Sequence, residues 1–302
     1  MATTEPDRTG EDGHEWERVL WRLQPFPDNY VPPTFLAGLS KNPNVLPYRC
    51  WPLMLGACTI SQHLSVIFVF LAVFTHLLNH TLDPRLLVVL SSATFVVGCI
   101  IWETMEHFGR DAAGNAPSDR RARTVKASLL IFLALIALAP ILRTLTAPTS
   151  ADSISALTTA LFLVHAALAD YSYYAASPVR RERLTSVLSI NAAISAAVVL
   201  ASRLHDDLAV FGLMLFSVEA FALFPIFRRR IQSMPAPVQT LVTLLLGLAA
   251  LAAPLPILCA AVLISVTFGA PAVLMWAQQY KYEIRGPWDA ATPRGFERVE
   301  SG

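Results

Sequence analysis

Charge is scarce in this chain. Only 15% of its 302 residues are Asp, Glu, Lys or Arg, where a soluble domain carries about 25% to meet water over most of its surface. That shortage argues against a soluble enzyme of this length. No sign of charge dominates either, since 23 Lys and Arg stand against 22 Asp and Glu, and the basic footprint of a nucleic-acid binder is missing. Cysteine is rare, and Cys50, Cys58, Cys99 and Cys259 lie far apart. Such spacing fits neither a zinc site nor a disulfide framework, so these residues read as small apolar fillers. Neither a Walker loop nor a GxGxxG fingerprint occurs, so neither nucleotide nor cofactor has an evident cradle. The N-terminus lacks the basic tip and apolar core of a cleaved signal peptide. Residues 1–15 instead carry Glu5, Asp7, Glu11, Asp12 and Glu15 against Arg8, and read as a solvated, disordered tail. Targeting then falls to the first membrane helix.

What the chain has in abundance is long apolar runs, with 54% hydrophobic residues and a mean hydropathy of +0.50. A bilayer-crossing helix needs about 17–25 such residues. Eight runs qualify or nearly so: 54–78, 86–102, 127–145, 153–170, 185–202, 208–227, 238–253 and 255–276. The expected fold is therefore an all-α polytopic transmembrane bundle of about eight spans. The last pair reads as two spans, with a re-entrant hairpin as the alternative because Pro254 and Pro256 leave almost no loop. With eight spans, 20 of the 23 basic residues fall on the side of the termini, Arg85 and Arg203 on the other, and Arg143 inside a span. The positive-inside rule then puts both termini in the cytosol. Two basic loops on that side, one with Arg120, Arg121 and Arg123 and one with Arg228, Arg229 and Arg230, read first as topology markers and second as attractors of anionic headgroups. The chain divides into an acidic tail 1–15, a cytosolic strap 16–53 with an interfacial helix, a membrane domain 54–276 and a cytosolic tail 277–302. None of the loops could hold a nucleotide-binding domain. Asn79-His80-Thr81 fits a glycosylation sequon but is pressed against a span end.

Trp16, Leu20 and Leu23 share one face of a short helix suited to the headgroup region or to packing on cytosolic loops. In QPFPDNYVPP, residues 24–33, Pro25, Pro27, Pro32 and Pro33 stiffen a strap that includes Phe26, Asp28, Asn29 and Tyr30. A rigid aromatic strap is a plausible docking surface. Ionisable groups inside spans are costly and therefore informative: His63, His76, Arg143, His165, Asp170 and Glu219. Glu219 sits mid-span among apolar neighbours, either as a carboxyl holding two helices together or in a headgroup- or proton-linked role. His165 and Asp170 are too far apart for one helical turn to pair them. Asp152, with Ser150 and Ser153, supplies cap oxygens for the fourth span, and Arg143 is a candidate ion-pair partner for Asp152. Asn191 lies among Ser189, Ala192, Ala193, Ser195, Ala196 and Ala197, a small-residue face where an amide could bond across a close helix contact.

Five stretches together resemble one family. They are QPFPDNYV at 24–31, PILRTLTAPTSADSI at 140–154, H-x4-DY at 165–171, SINAAISAAVVLASRL at 189–204 and GPWDAA at 286–291. In order and spacing, from residue 16 to 291, they are similar to the PIG-C family, the polytopic subunit of phosphatidylinositol N-acetylglucosaminyltransferase. Small departures are Ile190 where Leu is usual, Arg143 where Lys also occurs, and Ala290 where an acidic residue is usual.

The resemblance implies a multi-pass protein of the endoplasmic reticulum membrane, in the complex that moves N-acetylglucosamine from UDP-GlcNAc to phosphatidylinositol and so begins GPI-anchor synthesis. It implies a catalytic PIG-A-type partner and further subunits, phosphatidylinositol and membrane lipids as neighbours, and neither a catalytic residue, a metal nor a cofactor in this chain. On that basis the strap and Gly286, Pro287, Trp288 and Asp289 form an expected platform for the catalytic subunit. A lipid transporter or scramblase is the alternative, and would be expected to show internal repeats around a mid-membrane site. An independent intramembrane transferase would need acid, base or metal groups clustered at one face.

Overall fold

The computed structural model describes residues 23–27, 30, 40–41, 47–108, 117–146, 149–171, 184–232, 234–281 and 284–285. Among these, eight helical rods follow one another: α1 Cys50–Leu78, α2 Pro84–Phe108, α3 Pro117–Thr144, α4 Ala151–Leu168, α5 Leu184–Ala201, α6 Asp207–Ile231, α7 Ala236–Ala250 and α8 Pro256–Gln278. Six of them, α1 to α4, α6 and α8, contain stretches long and apolar enough to cross a membrane. The rods coincide with the eight apolar runs, but their ends differ. The expected loop 103–126 is mostly helix, because α2 runs on to Phe108 and α3 begins at Pro117, so Arg120, Arg121, Arg123 and Lys126 lie on the first turns of α3. Hydropathy marks where hydrocarbon begins, whereas a helix continues while its backbone bonds are met. Pro140 lies inside α3, which passes through it to Thr144.

Helix α1 is central. Two thirds of its apolar window (67%) is buried within the chain, against 11% for α2, α3 and α8. Its stretch from Thr59 to Ser65 is polar and largely buried: Thr59, Ser61, Gln62, His63 and Ser65. Its second half is apolar and leads to Phe70, whose ring meets Phe162 of α4 at 5.9 Å and Phe216 and Phe221 of α6 at 6.2 and 5.1 Å. Offset and edge-on aromatic contacts of this kind add to what burial contributes. Helices α4 and α5 pack closely because α5 offers Ala192, Ala193, Ala196 and Ala197 to the interior. Where α6 passes α2, Gly212 permits the approach, since a Cβ there would lie 3.3 Å from Leu87 and Val88 side-chain carbons. Helix α6 contains a π-helical segment, Glu219–Leu223, and α8 another, Ser265–Gly269. Each carries one wide turn within an otherwise α-helical rod.

Contacts fix the end of the bundle where α1, α3 and α5 stop. There Arg143 forms an ion pair with Asp207 (3.1 Å) and donates to the His205 carbonyl (3.4 Å), while the Thr146 and Ser202 hydroxyls bond to each other. This corrects the expected Arg143–Asp152 pair. Asp152 stays exposed in the first turn of α4, where its charge suits the helix dipole, and Ser150 is the residue that caps the helix. Thr81 donates to the His76 carbonyl, closing the turn after α1.

The chain separates into two compact units. One is Arg49–Met275. The other draws on the N-terminal 48 residues and on 276–302. Within the second, β1 Ser40–Lys41 pairs antiparallel with β2 Ile284–Arg285, and the Tyr48 N–H donates to Gln278 Oε1. Phe26 and Tyr30 stack at 4.5 Å, and the Tyr30 N–H donates to the Pro27 carbonyl. Residues 1–22, which include the tail and most of the interfacial helix, lie outside the described residues, as do Asp28, Asn29, Gly286, Pro287, Trp288 and Asp289.

Candidate functional site

Below the aromatic cluster, toward the start of α1, the buried groups become polar. His165, near the end of α4, donates from Nδ1 to the Ser189 carbonyl of α5 at 2.9 Å, with the Ser189 hydroxyl oxygen at 2.8 Å. A carbonyl only accepts, so the proton sits on Nδ1. Ser189 returns a bond from its hydroxyl to the His165 carbonyl (2.9 Å). The His165 ring lies 4.4 Å from that of His63 on α1 and 5.3 Å, edge-on, from Phe221. His63 in turn meets the Tyr171 ring edge-on at 5.4 Å.

Arg228 closes this layer. The sequence places it in a basic loop with Arg229 and Arg230, free to attract anionic headgroups. The structure instead continues α6 to Ile231 and buries Arg228 to 3% exposure. Its guanidinium donates to the Thr59 carbonyl of α1 (3.3 Å) and the Asp170 carbonyl after α4 (3.4 Å), and its Cζ lies 6.0 Å from the Tyr171 ring centroid. A planar fork of donors suits this work, because one side chain reaches carbonyls on two elements at once. The neighbouring Arg229 stays half-exposed and pairs with Asp170 Oδ2 at 3.4 Å. Tyr171 donates to the Ala166 carbonyl (2.6 Å), and burial pushes its phenol up to about 12.

A glutamine network extends the layer toward α7. Gln62 Nε2 reaches Thr243 Oγ1 (2.9 Å) and the Gln239 carbonyl (3.3 Å), Gln239 donates to the Gln232 and Met234 carbonyls, and Gln232 donates to Thr59 Oγ1. Three buried nitrogens of the layer, His63 Nε2, His165 Nε2 and Arg228 Nε, have no hydrogen-bond partner among the described residues. Chemically the layer offers a buried guanidinium and two imidazoles whose ring centroids lie 4.4 Å apart. Among the described residues no cluster of three or more His, Cys, Asp or Glu side chains could hold a metal.

Of the sequence candidates, the structure thus places His165 in this layer, bonded to Ser189 and against His63, and the Asp170 carbonyl in it, bonded to Arg228. It does not bring in Arg143 or Asp152, which lie at the other end. Glu219 opens the π-helical segment of α6, one oxygen buried without a partner among the described residues. Asn191 is exposed on the face of α5 turned away from the alanine contact, so the amide does not bond across that contact. The roles of Arg228, Tyr171, Gln62 and Thr59 escape a reading of the sequence alone. A signal for the last two exists as five polar residues in the seven from Thr59 to Ser65, inside an apolar helix.

Taken together, the fold is that of a polytopic helix bundle with a buried polar layer at one end, a membrane protein whose interior is built for precise helix placement. The profile of the family described as phosphatidylinositol N-acetylglucosaminyltransferase matches residues 16–289, and the chain belongs to that family. It is 37% identical to the phosphatidylinositol N-acetylglucosaminyltransferase GPI2 subunit of Schizosaccharomyces pombe, over 92% of this chain and 87% of that protein. A putative subunit of the same transferase from Dictyostelium discoideum is 36% identical over 92% of this chain and 80% of its own. The corresponding Homo sapiens subunit is 31% identical over 92% of both. No solved structure matches.

Proposed function

We propose that this chain is a non-catalytic membrane subunit of the complex that transfers N-acetylglucosamine from UDP-GlcNAc to phosphatidylinositol, the first step of GPI-anchor synthesis. The observation that carries the reading is the match along nearly the whole chain to relatives named as subunits of that transferase. The architecture supports it. A glycosyl transfer between a soluble nucleotide sugar and a membrane lipid needs a soluble site held against headgroups in one geometry. This chain contributes a membrane body, and a PIG-A-type partner contributes the sugar-nucleotide site.

In this reading the protein sits in the endoplasmic reticulum membrane with eight spans and both termini in the cytosol. The side bearing the strap, the tail and the α6–α7 turn receives 20 of the basic residues. Helix α7, at 15 residues, spans about 22 Å at 1.5 Å per residue. It reaches across only with the turns at its ends, and the glutamine network that ties it to α1 supports a place inside the bundle. The strap around Pro25–Tyr30 and Gly286–Asp289 dock the catalytic subunit, and exposed Arg229 attracts anionic headgroups.

The test is reconstitution. The purified chain in phosphatidylinositol liposomes with UDP-GlcNAc should form no GlcNAc-phosphatidylinositol, and cells lacking the chain should form none either. Turnover by the chain alone overturns the non-catalytic role; normal product in its absence overturns the assignment to the complex. Tags at both termini should be open to protease in sealed microsomes.

A further inference from the structure

Helix α5 has two unlike faces. Ala192, Ala193, Ala196 and Ala197 point inward and are buried against neighbouring helices. On the opposite face Asn191 and Ser195, one turn apart, are exposed below Val187 and Leu188, themselves 49% and 56% exposed. Asn191 is the eighth of 18 residues from Leu184, about 10 Å in at 1.5 Å per residue. In the reading of α5 as a span, that position lies near its middle, within the roughly 30 Å hydrocarbon core.

A carboxamide facing hydrocarbon without a partner is unfavourable, because lipid tails neither donate nor accept. Other exposed hydroxyls on these helices avoid the problem by bonding back to their own backbone. Thr94 donates to Leu90, Thr104 to Ile101, Ser155 to Ala151 and Thr159 to Ser155. Asn191 and Ser195 carry no hydrogen bond among the described residues. Their face is polar where it needs to be apolar for lipid, and small enough for another backbone to come close.

We infer that the Asn191–Ser195 face of α5 seats a transmembrane helix of another subunit of the transferase, one that presents a hydrogen-bonding group at mid-depth. This rests on the proposed reading of the chain as a membrane subunit with α5 as a span. A headgroup does not reach this depth, an acyl chain leaves the amide unpaired, and a second copy of this chain is an outcome of the test.

The complex is expressed with all its subunits, and the chain is captured in mild detergent. Asn191→Leu replaces the amide with an apolar group of similar size. Recovery of at least one other subunit should fall about fivefold or more, while the level of the chain itself and its melting temperature in detergent stay unchanged. Independently, Ser195→p-benzoylphenylalanine in membranes should give a light-dependent adduct with another subunit, whereas the same residue at Leu163, exposed on α4, should give lipid adducts. Full recovery of every subunit with Asn191→Leu overturns the proposal. So do Ser195 adducts with lipid alone or with a second copy, and so does a fall in the variant's own stability, which would place Asn191 within the fold. If the unaltered chain recovers no other subunit, the subunit reading itself fails, and that result is separable because it precedes any substitution.

Discussion

Two arginines, one at each end of the helix bundle, show how differently the same side chain can be used. Arg143 is 42% exposed at its side chain and pairs with a carboxylate, Asp207, that is equally open to its surroundings. Arg228 is nearly sealed, and the acceptors that its guanidinium reaches are main-chain carbonyls of α1 and the end of α4. An exposed pair gains little, since water and salt screen it and two long side chains must be held still. A buried guanidinium that donates to two main-chain carbonyls is another matter, because it has lost its water and losing those bonds leaves its charge buried without compensation. The contrast separates a clamp, which positions three elements, from an ornament at a helix end.

Breaking the clamp should have the largest effect. Arg228→Ala should lower the thermal stability of the detergent-solubilised chain by about 2–5 kcal/mol, from the lost bonds and the cavity together. Arg228→Lys should recover only part of this, since an ammonium cannot span both carbonyls. Next comes the imidazole of the same layer. His165→Phe keeps a ring against Phe221 and removes the bond to Ser189, for an expected loss of about 1–3 kcal/mol; equal stability in a melting curve would show the layer to be packing alone. Glu219 sharpens the comparison from mid-membrane. Glu219→Gln should keep assembly and transferase activity, whereas Glu219→Leu should weaken recovery of the complex by the equivalent of about 0.6–2 kcal/mol. Full assembly with lost activity in the Gln variant would mark the carboxylate as functional. Smallest is the exposed pair: Arg143→Ala and Asp207→Asn should each change stability by about 1 kcal/mol or less, with a coupling in a double-mutant cycle that shrinks as salt is added.

The helices are legible in the sequence because their signal is local. Each apolar run is a rod in the structure, and the family resemblance carried by five short stretches holds over residues 16–289. What cannot be read are pairings that depend on distant chain. Arg143 has Asp152 nine residues away, yet it meets Asp207 on another helix. Arg228 stands in a run of three arginines that reads as a topological marker, and nothing near it in sequence announces Thr59. The stripe of small residues on α5 is visible, but its period does not say which side faces the bundle, so Asn191 reads as part of a contact from which it points away. The polar run from Thr59 to Ser65 is the clearest neglected signal, since an apolar helix has no reason to carry it unless other helices meet it there.

The π-helical segment Glu219–Leu223 sets the rotational phase of everything that follows it in α6. Each residue of an α-helix turns the face by about 100°, and one wide turn takes up a residue that a regular helix would not accommodate in the same rise. Arg228 lies five residues beyond the segment. Deleting one residue there, Ala222 for example, removes the residue that the wide turn takes up, so a ladder that reverts to regular α geometry keeps Arg228 facing Thr59 and Asp170; deleting a residue beyond the segment, Phe227 for example, shifts every later side chain by about 100° and turns Arg228 away. That shift would carry Arg229 toward the position Arg228 left. Register through the wide turn thus decides which of three adjacent arginines is the clamp, a choice that composition leaves undetermined.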